Sequence, residues 1–166
     1  MNVDFFRRLL LYIVLILAQV LVLNHIHLFG YATPLLYIYF VISFRRNYPK
    51  WAILLWSFML GLTVDGFSNT PGVAASAMTF VGLIQPYLLE LFMQRDSEDD
   101  FQPSIQTMGL ASYTYFSMWL TLIYCGIFFT VETFTFFNWL QWILNIVAST
   151  IISLLLIVVI DNLRRK

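Results

Sequence analysis

Phe44-Arg45-Arg46-Asn47-Tyr48-Pro49-Lys50-Trp51 is a short basic break between two apolar runs. Pro49 interrupts a helix, the cations favour the cytosolic headgroups, and Trp51 suits the aromatic belt of a membrane surface. Outward from this break the pattern repeats. The other basic residues are Arg7 and Arg8, Arg95, and Arg164, Arg165 and Lys166, each between or beyond apolar runs. The alternate gaps, 24–33, 66–70 and 132–137, contain none. Short loops rich in Lys and Arg stay in the cytosol. The alternation predicts an all-α integral membrane protein with about six transmembrane helices and both termini cytosolic.

The composition demands the same class. Of 166 residues, 60% are hydrophobic and 11% charged, and the mean hydropathy is +0.80. An ordinary soluble domain is about half apolar and about a quarter charged. Six spans of roughly 20 residues use about 120 residues. What remains is loop, so residues 1–166 are expected to form one polytopic domain without a soluble catalytic or binding domain. The net charge of zero predicts no attraction to nucleic acid. Cys125 has no intrachain disulfide partner and reads as a buried thiol within a span.

Arg7 and Arg8 followed by an apolar run superficially suggest a secretory signal. The run 9–23 leads into Asn24-His25-Ile26-His27-Leu28-Phe29, which lacks a small-residue cleavage pattern. It reads as a retained first helix over 9–23, with an extension to 29 left open. The second run, 34–44, is short for a span. It crosses if it takes in 29–33, tilts, or meets a thinned bilayer. A re-entrant segment is the competing form, and it breaks the charge alternation. The third helix covers 51–65. The fourth starts at Pro71 with Thr70 as N-cap and runs to 93. Pro86 should kink it, and Gln85 is placed to satisfy a freed backbone group. The fifth helix covers 104–131 and the sixth 136–160. Between the fourth and fifth lies the polar stretch 94–103, a solvated turn able to touch a cytosolic partner.

Asp65 follows Lys50 by fifteen residues, roughly 22 Å along a helix. That places it at or near the outer interface, where a carboxylate needs partners. Two roles are open to it. It contacts a ligand, proton or partner, or it accepts hydrogen bonds from the open amides of the next helix. Ser57, Gly61 and Asp65 stand four apart, and the fourth helix opens with Gly72-Val73-Ala74-Ala75. Such small residues allow close helix packing, within the chain or with a partner. Gln141, Asn145, Ser149 and Ser153 recur every four residues and form a polar stripe. It predicts either a hydrogen-bonded seam with Ser117, Thr121 and Tyr124 of the fifth helix or a polar pocket for a solute.

Catalytic signatures are lacking. The chain contains neither H-E-x-x-H nor G-x-S-x-G, and Asp65 has no second mid-membrane aspartate. His25 and His27, two apart, do not share a helical face, and the acids at 96–100 lack the pattern of a calcium loop. No enzyme activity, cofactor or metal is expected.

Gly61-Leu62-Thr63-Val64-Asp65, continued by Pro71-Gly72-Val73-Ala74-Ala75, resembles the rod-shape-determining membrane protein family MreD. That family shows G-L-x-x-D at the end of one span and G-x-x-A at the opening of the next. Gly61, Leu62, Asp65, Gly72 and Ala75 stand at the matching positions, and the length, six-span pattern and basic carboxyl end also fit. The short second run departs from the pattern. The resemblance implies a bacterial inner-membrane, non-enzymatic subunit of the elongation machinery that builds the lateral cell wall. Implied partners are the bitopic protein MreC, the actin-like MreB, the glycosyltransferase RodA and its penicillin-binding transpeptidase. The family is similar in architecture to the substrate-binding subunits of energy-coupling-factor vitamin transporters. The alternative is therefore a small-solute uptake subunit, although the first helix, with Ala18 as its one alanine, lacks the A-x-x-x-A docking pattern of those subunits.

Overall fold

The computed structural model describes residues 2–22, 33–93, 100–133 and 138–164. Among them are seven helices and no strand: α1 (Asn2–Leu21), α2 (Ile38–Ile42), α3 (Lys50–Ser68), α4 (Val73–Phe92), α5 (Ile105–Met108), α6 (Leu110–Thr133) and α7 (Trp139–Arg164). Helices α3, α4, α6 and α7 are long and apolar enough to cross a membrane. Helix α1 has 20 residues, but Asp4, Arg7 and Arg8 occupy its first two turns.

The long helices form a curved wall. Helix α1 packs on α3, α3 on α4, α4 on α6, and α6 on α7. The wall encloses α2, which touches α1, α4 and α6, and it opens between α1 and α7. Outward faces carry Trp51, Leu55 and Phe58 on α3 and Ile151, Leu155 and Val159 on α7, all exposed. An apolar exterior on this scale suits hydrocarbon rather than water.

The second apolar run differs from the expected spanning helix. Residues 34–44 are buried except for the half-buried Ser43, yet only Ile38–Ile42 is helical. Its depth follows from its neighbours on α1. Pro34 and Leu36 lie beside Gln19, while Phe44 lies against Arg8. Eleven residues of helix separate Gln19 from Arg8, about 16 Å. The segment therefore descends antiparallel to α1, as one short helix flanked by turns in which the Tyr39 amide bonds the Leu36 carbonyl at 3.0 Å and the Phe44 amide the Val41 carbonyl at 3.3 Å. Non-helical backbone at membrane depth persists only where protein encloses it.

The fifth run also differs. It is broken into α5 and α6 by Gly109, whose φ of 80° and ψ of 155° belong to a region open essentially to glycine alone. Ser104 caps α5 by accepting from the Thr107 amide at 3.2 Å. The Ile105 amide, one of the open donors at this start, bonds Asp161 of α7 at 3.0 Å.

Candidate functional site

Helices α3 and α4 meet through the small residues singled out in the sequence. On α3, Ser57, Leu60, Gly61, Val64 and Asp65 are buried at helical spacing. On α4, Ala74, Ala75, Ala77, Met78 and Gly82 are buried. A Cβ on Gly61 would lie 2.5 Å from the Ala75 Cα and 2.6 Å from the Ala74 carbonyl oxygen. One on Gly82 would lie 2.5 Å from the Ser57 hydroxyl. The backbones approach because both positions lack a side chain.

Asp65 closes the upper end of this contact. Its Oδ1 accepts the Ala74 amide at 2.8 Å and the Thr70 hydroxyl at 3.0 Å, and its Oδ2 accepts the Ala75 amide at 2.8 Å. These amides belong to the first turn of α4, where donors are open and the helix dipole favours an anion. Hydrogen bonds to a charged group are worth roughly 1.5–3 kcal/mol each. Thr70 is not the N-cap expected of it. The chain turns through Thr70-Pro71-Gly72-Val73, with the Val73 amide bonded to the Thr70 carbonyl at 3.3 Å and Gly72 at φ 86° and ψ −7°. This is a type II turn, in which proline presets the second position and glycine supplies the positive φ of the third. Gly72 thus becomes the N-cap. It has no side chain to offer, and Asp65 of the preceding helix supplies the acceptor. Gly72 itself is exposed.

Two residues of the polar stripe on α7, Ser149 and Ser153, have a different partner from either one expected. Ser149 Oγ accepts the Thr33 amide at 3.2 Å, and Ser153 Oγ accepts the Leu35 amide at 2.9 Å. On α6, Thr121 donates to the Ser117 carbonyl of its own helix at 2.7 Å, and the Tyr124 hydroxyl pairs with that of Tyr37. Ser149 and Ser153 therefore neither form the expected seam with Ser117, Thr121 and Tyr124 nor face an open polar pocket. Nearer the start of α7, Asn145 is half-buried and Gln141 exposed.

Other polar side chains serve the same broken segment. Gln19 of α1 donates to the Pro34 carbonyl and accepts the Leu36 amide, both at 3.0 Å. Gln85 of α4 donates to the Phe44 carbonyl at 3.2 Å, so it does not act on its own helix at Pro86 as expected. Gln102 donates to the Ser43 carbonyl at 3.4 Å. The Tyr39 hydroxyl donates to Asp161 Oδ1 at 3.1 Å and accepts from Arg164 at 3.3 Å. Most of these roles escape a sequence reading. A lone glutamine in an apolar helix signals that a partner is required without saying where it lies.

Cationic residues gather where the broken segment ends. Arg7, Arg8, Arg45 and Arg164 line one cleft with Asp4. Arg45 pairs with Asp4 at 3.5 Å and Asp100 at 2.9 Å, and Arg8 stacks over Phe44 and Tyr48. His25, His27 and residues 94–99 lie outside the described residues, among which no trio of His, Cys, Asp or Glu gathers as metal ligands. The described residues thus form an all-helical bundle with four helices long and apolar enough to cross a membrane, a carboxylate clamp at one end and an arginine cluster at the other. In comparisons with protein-family models, curated proteins and solved structures, no match was found.

Proposed function

We propose that this chain is a non-enzymatic inner-membrane subunit of a bacterial cell-elongation complex. It binds an MreC-like bitopic protein and helps to organise the lateral cell-wall synthases, RodA and its transpeptidase, with MreB on the cytosolic side. The observation that carries the proposal is the joint behaviour of the motif residues. Gly61, Asp65, Gly72 and Ala75 form a single clamp between α3 and α4, while Leu62 on the same stretch is 50% exposed. A motif that stiffens a helix pair and leaves an apolar face outward suits a scaffold that presents helices to a partner.

In this proposal the chain crosses the membrane six times. The second passage includes residues 33–44, and the arginine end faces the cytosol with both termini. Solute uptake gains less support, because Ser149 and Ser153, half of the stripe that suggested it, are taken by backbone amides. Tagged MreC from the same cell should retain this protein in mild detergent. Recovery no greater than that of an unrelated polytopic protein would refute the proposal.

A further inference from the structure

The opening in the helix wall between α1 and α7 is an apolar groove of about 540 Å³, within the roughly 300–1,000 Å³ range of pockets that hold small ligands. Leu10, Val14 and Ala18 line it from α1, Leu36 from the broken segment, and Ile160 and Leu163 from α7. Arg7 and Arg164 line it too, and both also line the arginine cleft. Nearby acids are engaged elsewhere. Asp4 and Asp100 pair with Arg45, and Asp161 accepts from Tyr39 and the Ile105 amide. Among the described residues, neither Arg7 nor Arg164 has a carboxylate within ion-pair distance.

We infer that this groove binds an anionic phospholipid, with the headgroup phosphate at Arg7 and Arg164 and one acyl chain along Leu10, Val14 and Ala18. Its length favours this occupant. From Arg7 to Ala18 is eleven residues, about 16 Å, or half of the roughly 30 Å hydrocarbon core. An acyl chain occupies one leaflet, whereas a partner helix crosses both. Charge favours it as well, since two arginines that line one apolar groove suit a phosphate. The inference rests on membrane insertion but not on the elongation complex, so failed MreC recovery leaves it standing.

The test is native mass spectrometry of the delipidated, purified full chain after exposure to phosphatidylglycerol, phosphatidylcholine or soluble glycerol 3-phosphate. Wild type should retain phosphatidylglycerol preferentially. R7Q and R164Q should each reduce that preference about fivefold, while R7K and R164K should largely keep it. Val14→Trp should fill the groove and release lipid with both arginines intact. Melting midpoints equal to wild type identify variants that remain folded. Equal retention of the two lipids, or an unchanged preference in folded R7Q and R164Q, would overturn the inference. So would glycerol 3-phosphate binding as tightly as lipid, or a polypeptide cross-linking at position 14 where lipid was expected.

Discussion

Gly61→Ala adds one methyl group where α3 touches α4. The new Cβ would sit 2.5 Å from the Ala75 Cα, 2.6 Å from the Ala74 oxygen and 2.8 Å from the Ala74 carbonyl carbon, all backbone atoms. Ordinary contact begins at 3.4 Å, so the helices must separate by about 1 Å. The bonds from Ala74 and Ala75 to Asp65, now 2.8 Å, would stretch beyond useful hydrogen-bond length. Overpacking costs about 1–3 kcal/mol, and loss of one charge-assisted bond adds about 1.5–3 kcal/mol. Against this, alanine gains about 1 kcal/mol over glycine in a helix. The net expectation is a loss of about 1.5–5 kcal/mol, or roughly 3–20 °C in melting midpoint for a chain of this size. Gly66 is the control: it lies on the same helix, and a Cβ added there would meet nothing within 4 Å. Gly66→Ala should melt at or above wild type. Tryptophan-fluorescence melting of the three proteins in one detergent measures both. If Gly61→Ala melts with Gly66→Ala, the close-contact explanation is wrong.

Asp65→Leu removes the acceptor of two amides and a hydroxyl and should cost at least about 3 kcal/mol, with Asp65→Asn intermediate. Size-exclusion recovery and melting check this, and equal values for all three would contradict it. Gln19→Leu strands the Pro34 carbonyl and Leu36 amide, at about 1–3 kcal/mol each, and should lower folded yield after extraction. Yield equal to wild type would show that the broken segment does not depend on Gln19. Arg45→Ala breaks ion pairs to the largely exposed Asp4 and Asp100. It should shift the melting midpoint by no more than a pair worth about 1 kcal/mol allows, and a larger drop would show that the cluster is structural.

Local chemistry made the α3–α4 joint legible. Asp65 stands nine residues before Ala74, across a turn too short to carry it far from the open amides it serves. The small residues at Ser57, Gly61 and Ala75 have the spacing of close packing and pack within the chain. The path of residues 34–44 was not legible. A run apolar on every side has no periodicity to distinguish helix from extended chain. The side chains that bond the backbone of residues 33–44, Gln19, Gln85, Gln102, Ser149 and Ser153, come from three different helices and a loop, and no local pattern links them. Gly109 ends a helix through a backbone conformation that an isolated glycine in an apolar run does not announce.

The proposed six-span arrangement requires the Arg45–Lys50 turn and the carboxyl end to share one compartment, opposite the Asp65 loop. Single cysteines at the exposed positions Asn47, Phe67 and Asn162, with Cys125 buried as the internal background, report on this through a membrane-impermeant maleimide applied to intact spheroplasts. Position 67 should label at once, and positions 47 and 162 only after lysis. Labelling of position 47 together with 67 in intact cells would show that the broken segment returns the chain to the wrong side.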